Sequence, residues 1–145
     1  MGLILVTGPP ASGKSTWVRS KAKPGDIVID YDQLANALTA PGAHPYDHPK
    51  VLRNVASRAR AAAITEALKH TADVDVYVIH TLPSTEALNR YTEHDAQLIT
   101  IDPGRDVVMR RIAEQRPPSM RSVAERWYSS FAHTQQPPTR SSRAW

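Results

Sequence analysis

The chain has 145 residues, of which 41% are hydrophobic and 22% charged, the length and composition of one folded domain with room for a core but not for a second. No apolar run approaches the roughly 18 residues of a membrane span, and the absence of cysteine excludes disulfides, thiolate zinc sites and iron–sulfur clusters. The net charge of +4 is unevenly spread: residues 1–104 hold 10 Lys/Arg against 11 Asp/Glu, whereas residues 105–145 hold 8 Arg against 3 acids, an excess that suits either a solvated face or a surface handling phosphate or nucleic acid.

The first apolar run, residues 3–7, reads as a buried strand. It carries neither a basic leader nor a small-residue cleavage site, so secretion is not expected and a cytoplasmic protein is. Three more runs rich in Val and Ile follow at 27–30, 74–80 and 97–101, each separated from the next by a helix-like stretch. This is the βαβα order of an α/β domain, and runs that are apolar throughout are expected of parallel strands covered on both faces.

Between the first strand and a helix over 15–21 lies Gly8-Pro9-Pro10-Ala11-Ser12-Gly13-Lys14-Ser15-Thr16, which satisfies G-x-x-x-x-G-K-[ST], the phosphate-binding loop. Its glycines let the backbone curl around phosphate oxygens while the helix aims its free N–H groups and positive dipole end at them. ATP with Mg²⁺ is the expected cofactor. Gly8, Ala11, Ser12, Gly13, Lys14, Ser15 and Thr16 would hold it: Lys14 bridging the β- and γ-phosphates, Ser15 ligating the metal, Thr16 reaching the α-phosphate.

The second strand ends Asp30-Tyr31-Asp32, two carboxylates that face one way if the chain is still extended there. One would orient water on the metal, for which Asp30 is the candidate, and the other would accept a proton from an attacking hydroxyl, for which Asp32 is the candidate. Asp32 also suits the cap of a helix over 33–38. Residues 40–49 hold three prolines and a glycine and form a loop. Its His44, Asp47 and His48 suit zinc by type, but a plain surface loop is the better reading.

A helix over 50–70 carries Arg53, Ser57 and Arg60 on the face opposite its apolar stripe. A further helix over 83–93 precedes the fourth strand. Helices over 105–116 and 120–131, broken at Pro117-Pro118, present Arg110, Arg111, Arg116 and Arg121 as a lid; Arg116 and then Arg111 are the candidates to clamp the transferring phosphate. Residues 133–145, with two prolines and few apolar side chains, read as a flexible tail.

The chain resembles the small P-loop kinases, and most closely the 5′-kinase domain of bacteriophage-type polynucleotide kinases, over residues 3–131. The likeness lies in residues 8–17, in Asp32-Gln33-Leu34, and in the stretch from Val108 to Phe131. It implies a P-loop NTPase of nucleotide-monophosphate-kinase type: an α/β fold with a mostly parallel four-stranded sheet and a helical lid. It implies Asp32 as general base toward a 5′-hydroxyl, lid arginines on the phosphate, and Arg53 and Arg60 facing a nucleotide or nucleic-acid acceptor, for which Asp30 and His80 are the further candidates. Two positions depart from the family: Ala35 stands where it has an arginine that grips substrate phosphate, and His80 where it has an aspartate at the end of the third strand, leaving Asp30 or Asp102 to serve the metal. Asp30-Tyr31-Asp32 also looks like the paired aspartates of shikimate-type kinases. A small-molecule kinase, and a nucleotide-binding module without transfer activity, therefore remain alternatives.

Overall fold

The computed structural model describes residues 2–131 and 139–140. Its strands are β1 (Leu3–Thr7), β2 (Ile27–Ile29), β3 (Val76–Ile79), β4 (Gln97–Ile101) and β5 (Thr139–Arg140). They alternate with α1 (Lys14–Lys21), α2 (Tyr31–Ala37), α3 (Lys50–Ala67), α4 (Thr85–Glu93), α5 (Arg105–Gln115) and α6 (Met120–Phe131). The sheet order is β2-β3-β1-β4-β5 and every pairing is parallel. The four expected strands are therefore joined by a fifth of two residues, formed by main-chain pairing of Thr100 and Ile101 with Thr139 and Arg140. The rest of the expected flexible tail lies outside the described residues. No helix among them is long and apolar enough to cross a membrane.

Side-chain alternation along β1 and β3 splits the core into two layers. Leu3, Leu5, Val76 and Val78 face Ile64 and Ala67 of α3, Leu68 just after it and Tyr91 of α4, while Val6, Tyr77 and Ile79 face Trp17 and Val18 of α1. β2 is the exception to burial on both faces: Ile27 and Val28 are exposed because this strand is the sheet edge. The expected helix over 50–70 ends as a 3₁₀ turn over Leu68–His70. Ser84 accepts a hydrogen bond from the Ala87 N–H and so starts α4 two residues after Pro83. A third cluster, Val108 and Ile112 of α5 against Ala124 of α6, touches Ala11 and ties the helical pair to the loop after β1.

The chain leaves β1 for β2 on one side and later crosses to β4 on the other, so β1 is the topological switch point, where open α/β sheets open a crevice at the strands' carboxyl ends. The loop after β1 emerges into that crevice. Gly8, with φ 153°, lies so close to β4 that a Cβ would collide with the Ile101 carbonyl and the Ser12 hydroxyl. Gly8→Ala is expected to destabilise the protein by about 2–4 kcal/mol, a loss that thermal or urea unfolding against wild type measures.

Candidate phosphoryl-transfer site

The turn into α1 is built by left-handed residues. Gly13 adopts φ 101° as the N-cap of α1, and Ala11, though not a glycine, holds φ 59°, a strained conformation of the kind concentrated at functional sites. Lys14 is buried and folded back, its Nζ donating to the carbonyls of Gly8 at 2.9 Å and Pro9 at 2.6 Å, with Ser12 Oγ at 3.5 Å. Burial pushes its ammonium down from the usual 10.5 to about 7, against the opposing pull of the Asp30 and Asp32 carboxylates. A lysine so desolvated gains most from a polyanion placed beside it.

Asp30 does two things at once. One oxygen accepts the Asp32 N–H at 3.2 Å and caps α2, and the other accepts the Ser15 hydroxyl at 2.7 Å. The capping residue is therefore Asp30 and not Asp32, and α2 begins at Tyr31 rather than at 33, so the two carboxylates are not on an extended chain. Asp32 instead sits in the first turn, one oxygen 2.7 Å from His48 Nε2. Burial raises its pKa above the usual carboxylate value, with the His48 hydrogen bond working the other way.

A hydroxyl and a carboxylate oxygen in contact suit Mg²⁺, which takes oxygen ligands and is normally held by one or two carboxylates plus substrate phosphates. Ser15 and Asp30 are thus the residues that fit it. Among the described residues no group of three or more His, Asp or Glu side chains comes together as a metal cage. His44 Nδ1 accepts the N–H groups of Tyr46 and Asp47 and so shapes a turn.

One cavity of about 690 Å³ unites these parts. Its lining includes Ala11, Ser12, Gly13, Lys14, Ser15 and Thr16, the Asp30 and Asp32 carboxylates, and Arg53, Arg60, His80 and Arg116. Arg116 caps the C-terminus of α5 and lays its guanidinium 3.5 Å over the Tyr46 ring, joining the α5–α6 junction to the 40–49 loop. Arg60 is desolvated, its pKa lowered by burial, and donates to the Ile79 carbonyl at 3.4 Å.

Three of the expected residues have settings outside the cavity. Arg111 does not line the cavity: its Nη1 donates to the Ala11 carbonyl at 3.1 Å and braces the loop from behind. Gly8 does not line it either; its role is the close approach to β4 and the carbonyl it offers Lys14. Asp102 does not line the cavity; its Oδ1 accepts the Tyr128 hydroxyl at 2.8 Å and the Gly104 N–H at 2.9 Å. Reading the sequence also missed His48, which is buried beside Asp32 rather than displayed on a surface loop. The only available signal was a histidine inside a proline-rich loop.

A family model described as an AAA domain matches residues 3–137. No curated protein matches in sequence. Among solved structures, a tunicamycin resistance protein of Deinococcus radiodurans is similar at 17% identity over 94% of this chain and 99% of that one, with a TM-score of 0.49. A candidate kinase of Chloroflexus aurantiacus is similar at 15% identity over 97% of this chain and 88% of that one, with a TM-score of 0.51, a likeness of fold.

His80 gives this site a measurable property. Its Nδ1 lies 3.3 Å from the Tyr91 hydroxyl, and burial first, then Arg60, pushes its pKa from 6.5 down to about 4. The imidazole is therefore neutral at working pH. Its folded pKa lies below the unfolded one, so the stability it contributes is complete above about pH 6.5 and is lost as pH falls toward 4. Proton NMR is expected to show no titration of His80 above pH 5, and His80→Gln to flatten the loss of unfolding free energy between pH 6.5 and 4.

Proposed function

The chain belongs to the AAA domain family, and from that premise we propose that it transfers the γ-phosphoryl group of ATP, with Mg²⁺, to a hydroxyl, that of a polynucleotide 5′ end or of a nucleotide. The observation that carries the reading is the shared cavity: a phosphate loop in its lining, a Ser15–Asp30 oxygen pair with it, and the Asp32 carboxylate in the same space. Phosphoryl transfer needs little beyond positioning, charge neutralisation and a base.

In this reading the main-chain N–H groups of residues 11–16 hold the phosphates, and Lys14 swings from its carbonyls to the terminal phosphates, regaining full charge. Ser15 and Asp30 would hold Mg²⁺, which would supply charge neutralisation to the phosphates. The acceptor hydroxyl gives its proton to the free oxygen of Asp32. The oxygen–phosphorus bond to the acceptor forms as the bond from the γ-phosphorus to the bridging oxygen breaks, and ADP leaves with that electron pair. Arg116, at the α5–α6 junction, meets the charge spread over the transferring group. Arg53 and Arg60 on α3 face the acceptor, and cationic groups there favour an acceptor that carries phosphate.

Paired aspartates in the cavity also suit a small polyol, so the acceptor is tested directly. Labelled ATP is offered with a 5′-hydroxyl oligonucleotide, with free nucleosides and with polyols. Label is expected in the oligonucleotide. Label in a polyol alone selects the small-molecule kinase, and label nowhere selects a binding module without transfer activity. Asp32→Asn is expected to lower kcat by about 10²-fold or more while leaving ATP affinity near wild type.

A further inference from the structure

We propose that His48 is a positioning residue for the transfer step: its Nε2–H holds one oxygen of Asp32 so that the other faces the acceptor hydroxyl, which makes the base depend on the docked 40–49 loop. The inference rests on the reading of Asp32 as general base.

Four observations carry it. The His48 side chain is only 3% exposed and its Nε2 stands 2.7 Å from Asp32 Oδ1. Its ring meets Tyr31 edge-on, with centroids 5.8 Å apart, which fixes the imidazole in the plane that delivers that contact. Its Nδ1 is buried with no hydrogen-bond partner among the described residues. An ionised carboxylate can only accept, so in this contact the proton sits on Nε2. The ring therefore makes one polar contact, and makes it with the carboxylate in the cavity.

The loop that carries His48 is itself fastened at two other points. Asn36 Nδ2 donates to the Pro45 carbonyl at 3.2 Å, and Tyr46 lies under the Arg116 guanidinium. Helix α2, the loop and the α5–α6 junction thus meet around Asp32. A carboxylate at the start of a helix has rotamer freedom of its own; a donor on one oxygen removes that freedom, and orientation of this kind governs how well a base meets its proton.

The experiment separates orientation from packing with substitutions of different reach. Glutamine at this position carries an N–H where His48 has Nε2, whereas asparagine carries one nearer Nδ1. Steady-state transfer to the 5′-hydroxyl oligonucleotide, adenosine and polyol panel is measured for wild type, His48→Ala, His48→Gln and His48→Asn, with ATP binding and thermal melting recorded for each. His48→Ala and His48→Asn are expected to lower kcat at least about tenfold with the KM for ATP within about twofold of wild type, and His48→Gln to restore most of kcat. Wild-type kcat in His48→Ala, a loss confined to the KM for ATP, or His48→Gln no better than His48→Asn overturns the inference alone. Should His48→Ala not fold, the contrast between Gln and Asn still decides it. Absence of label from every acceptor with wild type brings down the phosphotransfer reading and this inference together.

Discussion

An ammonium group enclosed by two carbonyls and a hydroxyl, at the point where a parallel sheet reverses its winding, is the interaction around which the site is arranged. Lys14 occupies that position because β1 ends between β3 and β4 and Gly8 permits the chain to pass hard against Ile101. Enclosure removes water from the lysine and weakens its hold on a proton, so a phosphate chain delivered to the same spot is met by a charge with few competing partners. The surrounding residues support that geometry: Arg111 braces the Ala11 carbonyl, and the third core cluster presses α5 and α6 against the same turn.

The two departures from the polynucleotide-kinase pattern have physical reasons. Ala35 is wholly buried within α2, so an arginine there has no route to the cavity, and cations reach it from α3 instead through Arg53 and Arg60. Burial and Arg60 hold the His80 pKa low beside Tyr91, so the end of β3 adds no charge there, and the carboxylate in contact with the Ser15 hydroxyl is that of Asp30.

Much of the architecture was legible in the sequence because its signals are local. Unbroken Val and Ile runs mark the strands, and the phosphate loop is fixed by the spacing of Gly8, Gly13 and Lys14. The bounds of α6 were readable because Pro117-Pro118 stops the preceding helix and leaves room for a new start at Met120. What was not legible depends on contacts between distant segments. The direction Arg111 takes is set by the packing of Val108 and Ile112 against Ala124, which its position beside Arg110 does not reveal. Asp102 is claimed by Tyr128, 26 residues away. His48 reaches Asp32 across 16 residues of helix and aperiodic loop, and β5 pairs through its main chain, which leaves no side-chain pattern to read.

The account stands on a triphosphate held by the loop after β1, and calorimetric titration of the protein with Mg-ATP tests it most directly. One equivalent is expected to bind to wild type, and binding is expected to be lost in Lys14→Ala while the fold, followed by thermal melting, is kept. No uptake of ATP by wild type, or undiminished uptake by the lysine variant, would contradict it.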